Sequence, residues 1–176
     1  MSKVQAGELD REELTAHSST LVIAGGETVA TFLAAVTYFL LRTPAAYDKL
    51  RAEIRGRYAT AADIDALTAQ QLPYLMAVIA EGLRLYPPGS QGFPRISPGA
   101  VVDGVWVPRG AECYTSAWSP THDEAYFHDP FAFKPERWLD PGCTDVKEAS
   151  QPFSLGPRGC LGRKYVLLPR RVDFAD

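Results

Sequence analysis

Phe153-Ser154-Leu155-Gly156-Pro157-Arg158-Gly159-Cys160-Leu161-Gly162 is the stretch on which the reading of this chain turns. A cysteine thiolate stays ionised only where hydrogen-bond donors and positive charge surround it. The glycines around Cys160 let backbone N–H groups approach the sulfur without a Cβ in the way. Arg158 adds a cation whose planar fork suits a carboxylate. The plainer alternative is a buried structural cysteine in a Gly-Pro loop, which an isolated cysteine would favour.

Working outward, residues 118–152 form an aperiodic run of Pro, Asp and aromatic residues. An irregular stretch of that length is functional or disordered, and Phe127, Phe131, Phe133, Trp138 and Phe153 argue that it is packed. Before it, Val101-Val102 and Val105-Trp106-Val107 flank Asp103-Gly104, a two-residue hairpin signal. Three helices precede that small β region. The first spans Leu9 to Leu41, capped by Asp10 with Glu13 three residues on and stopped at Thr43-Pro44. The second runs from Ala45 to Arg57, and the third from Leu72 to Leu85 before Pro87-Pro88. Residues 60–71 read as a polar connection with one short helical turn. The expected fold is mainly α with a small antiparallel β element.

Composition narrows the function classes. With 18 Lys and Arg against 21 Asp and Glu, the net charge of -3 supplies no basic field, so no nucleic-acid partner is expected. Cys113, Cys143 and Cys160 are odd in number and far apart, and Met1 to Asp10 is polar and acidic with no secretory leader; a reducing compartment is expected. The apolar run Leu21 to Leu41 approaches membrane-span length, but Gly25, Gly26, Glu27 and Thr28 together are costly in lipid, which favours a buried helix. His122 and His128 sit among acids without metal-ligand spacing and read as locally hydrogen-bonded loop residues.

Four motifs then follow in order along the chain. Ala24-Gly25-Gly26-Glu27-Thr28 lies in the long helix, Glu81-Gly82-Leu83-Arg84 in the third, Pro135-Glu136-Arg137-Trp138 in the irregular run, and Phe-x-x-Gly-x-Arg-x-Cys-x-Gly at Phe153, Gly156, Arg158, Cys160 and Gly162. On its own residues, Glu81 and Arg84 three apart on a helix can pair, if only as a surface ion pair. Paired glycines in a helix interior cost about 1 kcal/mol each against alanine, which close helix packing would explain.

In this wording and order the motifs resemble the cytochrome P450 family. The resemblance implies haem b with Cys160 as the axial ligand of the iron. Phe153, Gly156, Arg158 and Gly162 would shape the site, and Arg95 would reach a haem propionate unless it is a solvated loop arginine. It implies that Gly25 and Gly26 open the helix over the haem face, so that dioxygen and water sit in its groove, with Thr28 as hydrogen-bond donor and Glu27 as its acidic neighbour in a proton relay. Glu81, Arg84 and Arg137 would form a buried structural network that locks the irregular run against the third helix.

The resemblance covers residues 1–164, the C-terminal portion of that family's domain, and leaves 165–176 as a divergent tail in which Pro169 would truncate the helix expected there. What it implies is a haem-thiolate monooxygenase acting on a small apolar organic substrate, with an NADPH-dependent reductase as electron donor. The wording looks most like microsomal members from filamentous fungi that tailor secondary metabolites. Those lie on the cytoplasmic face of the endoplasmic reticulum; without an N-terminal anchor this chain is expected in the cytoplasm. The rival expectation is a non-catalytic remnant that keeps the signature residues without activity.

Overall fold

The computed structural model describes Gly7 and residues 10–163, so the divergent tail with Pro169 lies outside the described residues. Five α-helices and four short strands occur among them. The first helix, α1, spans Arg11–Arg42. Asp10 accepts the Glu13 N–H at 2.7 Å while Glu13 reaches back to the Asp10 N–H, the reciprocal cap the sequence signals. Thr43 closes α1, and Pro44 opens α2 (Pro44–Arg57), where its missing N–H costs nothing. The polar connection holds a 3-10 turn at Ala61–Asp63 and a single-turn helix α3 (Ala66–Ala69), one turn more than expected. In the first, Asp63 accepts the N–H and the hydroxyl of Thr60 at 2.8 Å each; at the second, Asp65 accepts the N–H groups of Leu67 and Thr68.

The third long helix, α4 (Pro73–Leu85), carries the most buried surface, including Tyr74, Ala77, Val78, Leu83 and Leu85. Its first turn lacks a capping side chain of its own. Glu53 of α2 substitutes, its two carboxylate oxygens accepting the N–H groups of Tyr74 at 2.9 Å and Leu75 at 2.8 Å. Helix α1 crosses α4 at Gly82: a Cβ there would stand 3.0 Å from Phe32 and 3.1 Å from Val36. The core gathers at this crossing, from Phe32 and Val36 of α1, Leu50 of α2, Val78 and Leu83 of α4, and Phe133. Each such side chain stabilises the fold by about 1.5–3 kcal/mol when fully buried.

Beyond Pro87, β1 (Arg95–Ile96) pairs antiparallel with β4 (Glu112–Cys113), and β2 (Ala100–Val102) with β3 (Val105–Val107). Asp103 and Gly104 turn the hairpin with φ of 47° and 77°, the left-handed pair a tight two-residue turn requires. The expected α-plus-small-β fold is thus present. The one-turn helix α5 (Trp118–Thr121) and a 3-10 turn at Pro135–Trp138 then punctuate the irregular run. Phe127 and Phe133 are buried in it, but Phe131 is 70% exposed, its ring tilted against those of Trp118 and His122.

One expectation is corrected here. Helix α1 is not a buried helix: along it only Phe32 and Val36 are buried, and Leu21, Val22 and Ile23 lie open. By length and composition alone α1 also suffices to cross a membrane. Its exposure has a packing cause, since among the described residues α2 and α4 meet only its C-terminal half, through Phe32, Val36, Phe39 and Leu40.

Candidate functional site

Two groups of motif residues are placed differently by the fold: a charged knot inside it and an open loop beside it. The knot begins with Glu81 and Arg84, one turn apart on α4 and both fully buried. Arg84 Nε and Nη2 donate to the two carboxylate oxygens of Glu81 at 2.9 Å each, a bidentate fork. The remaining Arg84 donors hold the irregular run by its backbone: Nη1 to the carbonyls of Thr121 and Pro130 at 2.7 Å, Nη2 to that of Ala132 at 3.2 Å. Arg137 joins from the Pro135–Trp138 turn, its Nε 3.1 Å from Glu81. This is not the surface ion pair the spacing alone allowed.

Asp145 and Lys134 join the knot with no signal in the sequence, alongside Trp138 of the third motif and the aromatic Phe127. Asp145, with its side chain 3% exposed, pairs with Arg137 Nη1 and accepts the His128 N–H at 2.7 Å. Trp138 Nε1 and the Lys134 N–H both donate to Glu81 at 2.9 Å. Phe127, with no exposed surface, lies under both guanidiniums, 5.0 Å from that of Arg84 and 5.9 Å from that of Arg137. Burial works against the charge on Arg137, yet Glu81 and Asp145 outweigh it and hold its pKa above the ordinary value. Burial likewise pushes the Asp145 carboxyl up, but the His128 N–H, Arg137 and the Cys143 thiol together bring it below the usual range. No buried side-chain nitrogen or oxygen among the described residues lacks a partner. A knot this complete is the condition under which buried charge is tolerated.

Glu136, adjacent to Arg137, faces the other way. Its Oε1 accepts from Lys49 of α2 at 2.7 Å and from the Tyr74 hydroxyl of α4 at 2.9 Å. Burial and then the neighbouring Glu136 carboxylate push the Tyr74 hydroxyl pKa well above its ordinary value. Consecutive residues of one short turn therefore bind it to two helices on one side and to the buried knot on the other.

The cysteine loop is open. Ser154 and Gly156 take φ of 58° and 67°, a 3-10 turn follows at Gly156–Arg158, and the Cys160 N–H donates to the Phe153 carbonyl at 2.8 Å. That bond joins the first and eighth positions of the motif. Cys160 is a free, exposed thiol, and Arg158 is exposed beside it. A Cβ on Gly162 would touch the Cys160 sulfur at 3.6 Å, in ordinary contact. Leu155 and Leu161 are 66% and 91% exposed. One soft sulfur donor between open apolar side chains, with a guanidinium at hand, fits a flat apolar metal complex bearing carboxylates, as haem is. Arg95, in β1, is exposed, and its Nη1 donates to the Phe93 and Pro94 carbonyls.

Glu27 and Thr28 are exposed on α1. The helix is not opened at Gly25 and Gly26 as expected: it is α-helical at each residue, and the Thr28 hydroxyl donates to the Ala24 carbonyl at 2.6 Å. A hydroxyl bonded back one turn satisfies both groups without breaking the helix. Among the described residues, a Cβ on either glycine would meet nothing within 4 Å. His122 stacks on Trp118 and bonds its carbonyl at 2.9 Å, while the His128 ring is solvated near Asp129.

The family model of cytochrome P450 matches residues 1–165. Cytochrome P450 monooxygenase ORF9 of Penicillium roqueforti is 65% identical over 168 residues, covering 96% of this chain and 33% of that protein. Cytochrome P450 monooxygenase BOT4 of Botryotinia fuckeliana is 54% identical over 175 residues, with 99% and 33% covered. A third, poxC of Penicillium oxalicum, is 44% identical over 172 residues, with 93% and 36% covered. The chain spans about a third of the length of these relatives.

Proposed function

This chain belongs to the cytochrome P450 family, and we propose that it is the haem-binding portion of a fungal haem-thiolate monooxygenase that oxidises a small apolar organic substrate in secondary metabolism. The observation that carries the proposal is Cys160, a free thiol held across its loop by the bond to Phe153 and flanked by Arg158. Haem b, when bound, supplies the activation of dioxygen and accepts the electrons that an NADPH-dependent reductase delivers.

The chain's own residues do the rest. Cys160 as thiolate would hold the haem iron; Phe153, Gly156 and Gly162 would shape the loop behind it, and Arg158 and Arg95 would offer forks to the propionates. Gly25 and Gly26 keep the helix surface free of side chains where dioxygen and substrate approach. Thr28 then serves by turning its hydroxyl away from the Ala24 carbonyl, with Glu27 beside it to pass a proton from solvent. The knot of Glu81, Arg84 and Arg137 takes no part in chemistry and holds the run that leads into the loop. The whole protein acts at the cytoplasmic face of the endoplasmic reticulum.

The test is a reduced, carbon-monoxide difference spectrum of the haem-loaded chain. The displaced Soret band of thiolate ligation is expected, lost in Cys160→Ser and retained in Cys113→Ser and Cys143→Ser. An unchanged spectrum in Cys160→Ser overturns the assignment. One observation favours a second reading, that the chain alone is a non-catalytic remnant: both Cys160 and the Gly25–Thr28 face are open to water. A site that does not exclude water releases reduced oxygen rather than oxidising substrate. Oxygen consumption tightly coupled to product by residues 1–176 would overturn that second reading.

A further inference from the structure

Glu81 is saturated. Its two oxygens accept from five donors: Arg84 Nε and Nη2, Arg137 Nε, Trp138 Nε1 and the Lys134 N–H. Two buried guanidiniums cannot both be neutralised by that one carboxylate, and the balancing charge is Asp145, which belongs to none of the motifs. Asp145 also closes the run on itself. Its Oδ1 takes the His128 N–H and the neighbouring Val146 N–H donates to the Tyr126 carbonyl at 2.8 Å, so residues 126–128 and 145–146 are clamped around the buried Phe127.

From this clamp a physical path leads to the cysteine loop. Arg137 and Trp138 share the Pro135–Trp138 turn. Trp138 lines a cavity of about 170 Å³ together with Ile79 and Leu83 of α4, Phe153 and Arg163. Phe153 is the residue whose carbonyl receives the Cys160 N–H, and the guanidinium of Arg163 lies 5.7 Å from its ring. The seat of the loop is thus bounded on one side by a tryptophan whose position depends on where Arg137 is held.

We propose that Asp145 is a positioning residue for the cysteine loop: by binding Arg137 it fixes the Pro135–Trp138 turn, and through Trp138 it fixes the seat from which Phe153 holds Cys160. Calling Cys160 the functional end of this path rests on the haem-thiolate reading above. The mechanical claim is independent of it and is tested without haem.

The experiment is amide hydrogen exchange on the 176-residue chain, comparing wild type with Asp145→Asn, Asp145→Glu and a core control, Leu50→Ala. Asparagine keeps an acceptor for the His128 N–H but removes the charge that holds Arg137. In Asp145→Asn, protection at the Lys134 and Cys160 amides is expected to fall about tenfold or more, with the α2 amides unchanged. Asp145→Glu, which keeps the charge, is expected to restore the Cys160 amide most of the way. Leu50→Ala is expected to lower protection broadly, without singling out Cys160. The proposal is overturned if Asp145→Asn lowers protection evenly, as the core control does, if the Cys160 amide keeps wild-type protection, or if Asp145→Glu restores nothing. Failure of the haem reading would appear separately, as an unchanged spectrum in Cys160→Ser.

Discussion

Replacing Gly82 by alanine tests the crossing on which the core is built. In a helix interior the change from glycine favours folding by about 1 kcal/mol through propensity alone. At Gly82 the new methyl would stand 3.0 Å from Phe32 Cε2, 3.1 Å from Val36 Cγ2 and 3.3 Å from Val36 Cβ. The ring edge can give way, but the Val36 Cβ is fixed to the α1 backbone, so the helices must separate by a few tenths of an ångström. Overpacking of this kind costs about 1–3 kcal/mol, leaving Gly82→Ala between neutral and roughly 2 kcal/mol destabilising. Gly26→Ala is the internal comparison: the same helical substitution, with nothing within 4 Å, is expected to stabilise by up to about 1 kcal/mol. Urea unfolding of the chain, followed by far-ultraviolet circular dichroism, reads both. On a Val36→Ala background the cost of Gly82→Ala should shrink, because the 3.1 Å contact with Val36 Cγ2 vanishes while that with Cβ remains. Equal stabilisation at Gly82 and Gly26 would refute the close crossing.

Three further outcomes follow from the knot and its surroundings. Arg84→Ala should cost about 3–5 kcal/mol by stranding Glu81, and Arg137→Ala added to it should cost clearly less than it does alone; additive effects below about 1 kcal/mol in the same unfolding assay would mean a solvated pair. Asp145 has a folded pKa below its ordinary 3.8, so its contribution is full above that value and is lost as pH falls through the lower folded value. Urea midpoints from neutral to strongly acidic pH should therefore fall less steeply in Asp145→Asn than in wild type over that acid range. Glu53→Ala should cost about 1 kcal/mol by uncapping α4, and an unchanged urea midpoint would show that water replaces the carboxylate without loss.

The signals legible in the sequence were local ones. Asp10 with Glu13, Thr43-Pro44, Leu72-Pro73 and Asp103-Gly104 each act within four residues, and the helices and hairpin end within two residues of where these place them. The motif residues Glu81, Arg84 and Arg137 could be named because a family wording carries them. Asp145 could not, because its importance arises from meeting Arg137 across a loop whose path no periodicity encodes. The contacts of Glu136 were hidden for a similar reason: its partners Lys49 and Tyr74 lie 87 and 62 residues away. Burial of α1 was misjudged because hydropathy measures how apolar a face is, and says nothing about whether a neighbour covers it. The open groove at Gly25 and Gly26 was an implication of the family resemblance, whereas the helix meets the need of Thr28 with its own carbonyl.

The one-sided seating of α1 makes it a lever with its fulcrum at Phe32 and Val36. At 1.5 Å per residue, Arg11 lies about 32 Å from Phe32 and Thr28 only about 6 Å. A tilt of roughly 5° at the fulcrum would swing the far end by about 3 Å but displace Thr28 by only about half an ångström. The glycine pair and Thr28 thus sit at the root of the lever, where the angular play of a poorly covered helix is least amplified. Loosening the Gly82 contact would be felt first at the far end, as faster exchange and cleavage near Arg11, well before the spacing between Thr28 and the rest of the site is disturbed.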